Sequence, residues 1–353
     1  HYVRDVGVGR SSRLIPTIKR VAFCFSVSYL LCFKTPTYYI MKNRSFIFTA
    51  VAASLLCVSC TKPQTTLSEN ERPFNPPIMG WSSWNAFLVD ISEDIIKHQA
   101  DLMVEKGLKD AGYQYINVDD GYFGKRDENG VMQANEKRFP NGMKPVADHI
   151  HSLGMKAGLY TDAGTRTCGS LWNKDSIGIG AGIYGHEPQD AQLYFGDWGF
   201  DFIKIDYCGG EALGLDEKER YTSIRNSIDK VNKNVSINIC RWAYPGTWAK
   251  DAATSWRISG DINAHWNSLK YVVGKNLYLS AYAGNGHYND MDMMVIGFRN
   301  NSRVGGNGLT PTEEEAHFGL WCIMSSPLLI GCDLEKMPDS SLELLKNKES
   351  EAE

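Results

Sequence analysis

The chain carries no surplus of positive charge: 37 lysines and arginines stand against 41 aspartates and glutamates, a formal net charge of −4 over 353 residues. A nucleic-acid binder neutralises phosphates with a basic patch, and without one no nucleic-acid partner is expected. Zinc chemistry is poorly supplied as well. After residue 60 neither CxxC nor HExxH occurs, and the five cysteines there lack metal-ligand spacing. The apolar run over residues 21–33 is too short to span a bilayer. Nor is the chain depleted in core-forming residues: 43% are hydrophobic and 22% charged, the composition of a globular protein. What it has in quantity is aromatic side chains, 11% of the total with nine tryptophans. These suit a sugar-binding cleft, although most such rings belong to a core.

From Met41 onward a basic segment (Lys42, Arg44), an apolar stretch over 46–56 and small residues ending at Cys60 form an export signal. Val58, Ser59 and Cys60 resemble a lipobox, in which the cysteine becomes the lipid-bearing first residue of the mature protein. The expectation is a bacterial exported protein, either periplasmic or an outer-membrane or cell-surface lipoprotein held through a lipid on Cys60. Residues 1–40 read as an upstream or artefactual extension, 41–60 as the signal, 61–75 as a polar tether and 76–353 as one domain. Cys24, Cys32, Cys57 and Cys60 belong to the leader. Cys168, Cys208, Cys240, Cys322 and Cys332 remain, an odd number, so at least one thiol stays unpaired.

After the tether, strand-like runs alternate with helical patterns: 78–81, 115–118, 157–160, 202–205, 235–239, 255–258, 277–281 and 327–330. Eight strands separated by helices point to an α/β fold, a (β/α)8 TIM barrel. Ser92 is a candidate N-cap for a helix that Glu93 and Asp94 favour at its positive end and that Gly107 stops, and 311–324 reads as the helix before the last strand. Acids gather at the strand ends: Asp119 and Asp120, Asp162, Asp206, Asp261, then Asp290 and Asp292. The upper rim of such a barrel is where catalytic groups sit. Two carboxylates across a glycosidic bond suffice for sugar hydrolysis, one attacking or activating water and one protonating the leaving oxygen. Any one of these acids alone reads equally as a helix cap or turn residue.

Six ordered motifs, IMGWSSWN (78–85), NVDD (117–120), GLYTD (158–162), KIDYC (204–208), WRISGD (256–261) and NDMDM (289–293), resemble those of the glycoside hydrolase family 27 α-galactosidases, the melibiases. The resemblance runs from about residue 76 to 345. It implies a retaining exo-α-galactosidase with Asp206 as nucleophile and Asp261 as acid/base, acting on an α-galactoside oligosaccharide or polysaccharide. It implies substrate contacts from Trp81, Asp119, Asp120, Tyr160, Lys204 and Arg257, a disulfide between Cys168 and Cys208, and no metal or organic cofactor; Met293, near the seventh strand, is a further candidate to line the pocket and bind substrate. Lys204 is expected to keep Asp206 ionised, and the Asp206 charge to raise the pKa of Asp261. Related readings are the same chemistry on β-L-arabinopyranosides or α-N-acetylgalactosaminides; a reading of another class is a non-catalytic sugar-binding lipoprotein.

Three features depart from that pattern. Arg241 stands where an acid is usual; it either contacts substrate or pairs with an acid such as Asp261 or Glu187. The segment 171–187 is an insertion read either as a mobile flap over the leaving group or as a passive loop. The antiparallel β-domain that usually follows the barrel is expected to be absent from the chain. His287 reads as a pocket residue or, equally, as a surface one.

Overall fold

The structure is a computed structural model that describes residues 76–284, 286–299 and 305–347. The export signal, Cys60 and the tether lie outside the described residues. The strands are β1 (Met79–Ser82), β2 (Tyr115–Asn117), β3 (Lys156–Asp162), β4 (Phe202–Asp206), β5 (Ser236–Cys240), β6 (Ser255–Arg257), β7 (Tyr288–Asp290) and β8 (Leu328–Ile330). They are parallel and pair in chain order from β1 to β7, with β8 against β1. A further parallel bridge between Met294 and Ile330 draws the chain after β7 onto β8. Helices follow every strand, from Glu93–Glu105 after β1 to Asp339–Leu345 after β8. This is the (β/α)8 barrel expected. Among the described residues no helix is long and apolar enough to cross a membrane.

Local chemistry accounts for much of this. Parallel strands are covered on both faces, and all five residues of β5 are buried. Ser92 accepts a hydrogen bond from Ile95 N at 3.3 Å, and Gly107, with φ of +74°, takes the left-handed conformation after the helix. Helix Pro311–Ile323 starts with a capping box in which Thr310 and Glu313 satisfy each other's backbone N–H groups. Where β2 meets β3, Asn117 faces Gly158, and a Cβ on Gly158 would lie 1.9 Å from Asn117 Oδ1. Only glycine permits that approach.

The expected seventh strand is a correction. Residues 277–281 do not enter the sheet: Leu277 caps helix Trp266–Asn276, Ser280–Tyr282 is a 3₁₀ turn, and Leu277 and Tyr278 are exposed. The strand is Tyr288–Asp290, a more polar segment. It wins because polar partners meet it on both faces of the sheet. Asn289 Oδ1 accepts from Trp256 Nε1 and Asp290 Oδ2 from Asn238 Nδ2, both at 2.8 Å. Strand propensity is a matter of which surroundings the side chains meet.

Candidate active site

A cavity of about 610 Å³ opens at the C-terminal ends of the strands. Its lower part is formed by Lys204, Asp206, Cys240, Arg257, Asp292 and Met293, with Trp84 beside them. Beneath lies a space of about 30 Å³ reached by Asp119, Asn238 and Asp290. The period of two along β4 puts Lys204 and Asp206 on one face, and the register sets them opposite Asn238 and Cys240 of β5.

Two cations organise the acids. Lys204 Nζ lies 2.9 Å from Asp119 Oδ2 and 4.0 Å from Asp206 Oδ2, over the rings of Tyr160 and Trp84 at 5.3 and 5.8 Å. Burial works against its charge, yet Asp119 and Asp206 hold the ammonium pKa well above its ordinary value. Arg257 donates to Asp292 Oδ2 at 2.8 Å and to Asp261 Oδ1 at 3.0 Å. Burial likewise opposes its charge, and Asp292 with the other acids keeps it firmly protonated.

The acids respond differently. Burial pushes Asp206 up; Lys204 opposes this but is shared with Asp119, and the net shift is upward. Asp261 shifts the other way. Desolvation by the cavity wall raises its pKa, but the charge and hydrogen bond of Arg257 outweigh that and hold it below the usual carboxylate range. Burial pushes Asp292 to about 6 against the pull of Arg257.

Backbone strain accompanies the site. Four described non-glycine residues have positive φ, and two of them line the cavity: Leu88 at 51° and Asp292 at 79°. Asp292 is held there by Ile262 N donating to Oδ2 at 2.8 Å and its neighbour Met293 N donating to Oδ1 at 2.7 Å.

The sequence profile of the family described as Alpha galactosidase A (Melibiase_2) matches residues 76–352. The chain belongs to this family. It is 40% identical over 300 residues to alpha-galactosidase A of Cellvibrio japonicus, covering 81% of this chain and 69% of that protein. To alpha-galactosidase of Cyamopsis tetragonoloba it is 41% identical over 286 residues, 80% of this chain and 65% of that one. Its fold superposes on Saccharomyces cerevisiae alpha-galactosidase with raffinose with a TM-score of 0.66 at 30% identity, over 76% of this chain and 62% of that one. A β-L-arabinopyranosidase of Geobacillus stearothermophilus gives the same TM-score at 25% identity, over 78% and 76%. The chain thus spans roughly two-thirds of the length of these relatives.

Against this family frame, the structure brings Asp206, Asp261, Lys204, Arg257 and Met293 to one cavity. Asp119 sits just beneath, under Lys204. Trp81 does not form the aromatic wall. It is fully buried, donates from Nε1 to Cys332 O at 2.8 Å, and leaves the wall to Trp84, three residues on in the same motif. Tyr160 is buried and lines neither space, its hydroxyl accepting from Cys168 N at 3.2 Å. Asp120 and Asp162 brace loops and line neither space. Asp120 Oδ2 accepts from Gly169 N at 2.7 Å, Asp162 Oδ1 accepts from Gly164 N at 2.7 Å and Gly209 N at 3.0 Å, and burial pushes both carboxyls up to about 7.

Arg241 pairs with neither Asp261 nor Glu187. It points to Glu217 at 2.5 Å and Glu211 at 3.7 Å, while Arg257 holds Asp261 and Arg220 holds Glu187. It does not line the cavity; Trp242 beside it does. The expected upward shift of Asp261 by Asp206 is overridden by Arg257. His287 hydrogen-bonds to Ala253 O at 2.9 Å, away from this cavity. The Cys168–Cys208 disulfide is formed, with Cα atoms 5.2 Å apart, and both residues edge the cavity. Cys240 and Cys332 are buried thiols, and Cys322 is half-buried.

The segment 171–187 is pinned, contrary to a mobile flap. Arg126 donates to Gly180 O at 3.1 Å and Gly182 O at 2.9 Å and pairs with Asp190 at 2.7 Å, and Gly180 N and Ile183 N bond back to Thr165 O and Asp162 O. Sequence reasoning missed Trp84, Trp172, Trp242 and Cys240 as cavity residues, and gave Asp292 no role beyond its place among the strand-end acids. Trp84 and Asp292 lay within the motifs, three residues after Trp81 and directly before Met293. Trp172 and Trp242 carried no local signal.

Proposed function

We propose that the chain is a retaining exo-acting α-galactosidase that releases terminal α-linked galactose from oligosaccharides or polysaccharide side chains. The observation that carries the reading is the placement of Asp206 and Asp261 on one cavity, one buried at a strand end beside Lys204 and the other at the mouth. In this scheme Asp206 attacks the anomeric carbon while Asp261 donates its proton to the leaving oxygen. The glycosyl ester formed is then opened by water, which gives its proton to Asp261. Asp261 must leave its ion pair with Arg257 to be protonated for the first step. Arg257 is then available for a ring hydroxyl, as is Lys204. Asp206 keeps a buried Oδ1 with no hydrogen-bond partner among the described residues, which suits a sugar hydroxyl.

Galactose is favoured over related sugars by the higher identity to α-galactosidases than to the β-L-arabinopyranosidase. Export, with a lipid on Cys60 or as a free periplasmic protein, rests on the sequence of residues 41–60. A panel of p-nitrophenyl α-galactoside, α-N-acetylgalactosaminide, β-L-arabinopyranoside and α-glucoside tests the sugar. NMR of the first-formed product tests the stereochemistry. Selective release of α-galactose is expected; release of the β-anomer, or a preference for another glycoside, overturns the proposal.

A further inference from the structure

Apart from the bridge at Met294, residues 291–298 follow β7 as irregular backbone, and all of them are buried. Buried backbone groups need partners, and here side chains supply several that a sheet ladder would otherwise provide. Met291 N donates to Ser326 Oγ at 3.0 Å, Val295 N to His317 Nε2 at 3.0 Å and Gly297 N to Glu314 Oε1 at 2.9 Å, while Asp292 O accepts from Trp321 Nε1 at 2.9 Å. Glu314, His317 and Trp321 stand three and four residues apart on helix Pro311–Ile323, a spacing that puts them on one face. That face is buried, and it meets the barrel with hydrogen-bonding groups. Burial pushes the His317 imidazole down to about 3, so it stays neutral and Nε2 remains an acceptor.

Asp292 is the residue of this segment that reaches both acids' surroundings. Its φ of +79° is one that side chains other than glycine rarely adopt, and contacts on several sides hold it: its N donates to Asp290 Oδ1 at 2.8 Å, its carbonyl is taken by Trp321, and Ile262 N donates to its Oδ2. The carboxylate so placed meets Arg257 at 2.8 Å, and Arg257 meets Asp261 at 3.0 Å. Lys204 and Asp206 of β4 and the Cys240 thiol of β5 also face Asp261, and Asp290 faces Asp292; of these groups Arg257 is the one hydrogen-bonded to Asp261. A buried guanidinium without a counter-charge is costly. When Asp261 takes up a proton, Asp292 is the carboxylate still against Arg257.

We infer that Trp321 and Ser326 are positioning residues for the acid/base step: they hold Asp292 in its left-handed conformation against Arg257, so that Arg257 keeps a carboxylate partner when Asp261 becomes protonated. The inference rests on the α-galactosidase reading, in which Asp261 is the acid, and extends it to two side chains that line no part of the cavity.

The test measures kcat/KM against pH for the full chain, Trp321→Phe, Ser326→Ala and Glu314→Gln. The substrates are raffinose, whose leaving group needs a proton, and p-nitrophenyl α-galactoside, whose leaving group needs little help. Trp321→Phe removes the indole N–H; with Asp292 released, Arg257 turns wholly to Asp261 and favours its ionised form. The basic limb is expected to move to lower pH, with kcat/KM for raffinose lowered roughly tenfold and that for p-nitrophenyl α-galactoside within about threefold. Ser326→Ala removes one hydroxyl and should shift both readouts the same way by less. Glu314→Gln breaks the ion pair with Arg299 on the same helix face and should lower the melting temperature while leaving the substrate ratio and the limb unchanged. Equal losses on both substrates, or a basic limb that stays in place, overturn the positioning role, and Ser326→Ala decides alone if Trp321→Phe does not fold. A shift in Glu314→Gln as large as in the other variants overturns it too. Failure of the unaltered chain on both substrates overturns the α-galactosidase reading itself, and the inference with it.

Discussion

Asp206 and Asp261 share a cavity but are held by different means. Asp206 is the last residue of a strand flanked by strands on both sides, its side chain 7% exposed, and its pKa is set above all by burial. Asp261 lies four residues past β6, its side chain 70% exposed, and its pKa is set by one ion pair to Arg257. A group fixed by a backbone ladder keeps its position when contacts at the cavity mouth change, and its pKa, set chiefly by burial, responds less. A group held by an ion pair changes both when that pair is broken. The contrast suits the proposed roles, since an attacking carboxylate needs geometry and an acid/base must change protonation state during turnover.

The most severe way to break the comparison is Asp206→Asn. With no nucleophile, turnover of any α-galactoside is expected to fall by roughly four orders of magnitude or more, read from steady-state rates. Asp261→Asn should be more selective. Roughly 10²- to 10⁴-fold loss is expected on raffinose, whose leaving group needs a proton. A far smaller loss is expected in the first-turnover burst on p-nitrophenyl α-galactoside; equal losses on both would remove Asp261 from the acid role.

The pH profile sharpens the same contrast. Activity requires ionised Asp206, and its raised pKa places the acid limb of kcat/KM above the ordinary carboxylate value of about 4. Replacing Lys204 by Met removes the charge that lowers it, and the limb should move to higher pH. An unmoved limb would show that another group titrates there.

The smallest effect concerns stability. Burial pushes the carboxyls of Asp120 and Asp162 up to about 7 in the folded chain, against an ordinary value of 3.8. Below that lower value both states hold the proton and the contribution is complete. As pH rises towards 7 the unfolded chain releases protons that the folded one retains, and stability is lost. The melting temperature should therefore fall between about pH 4 and 7, and Asp162→Asn should flatten part of that slope while keeping an acceptor for Gly164 and Gly209. A slope unchanged in the variant would show that Asp162 does not titrate as described.

The barrel was legible because its signals are local and repeated. Seven of the eight strands lie within a residue or two of where the apolar runs put them, the cap at Ser92 forms as expected, and the helix before the last strand starts at Pro311. The seventh was not, because Tyr288–Asp290 is stabilised by partners on β5 and β6 that lie 33 and 52 residues away in the chain. The site divides in the same way. Motif order singled out Asp206, Lys204, Asp261 and Arg257, and alternation along one strand was enough to put Lys204 and Asp206 on one face. Which tryptophan faces the cavity was not legible, since Trp81 and Trp84 are equally plausible in sequence. Only packing shows that Trp81 is sealed against Cys332.

By itself, then, the sequence determined the order of strands and helices and the residue types that reach the strand ends, because hydrophobic period, caps and glycines act over a few residues. Tertiary structure alone decided where the charges settle: Lys204 on Asp119 more closely than on Asp206, Arg257 on Asp261, Arg241 turned to Glu217 and Glu211. Coulombic attraction and desolvation depend on distances through space and on what covers each group. Neither quantity is carried by the spacing of residues along a chain.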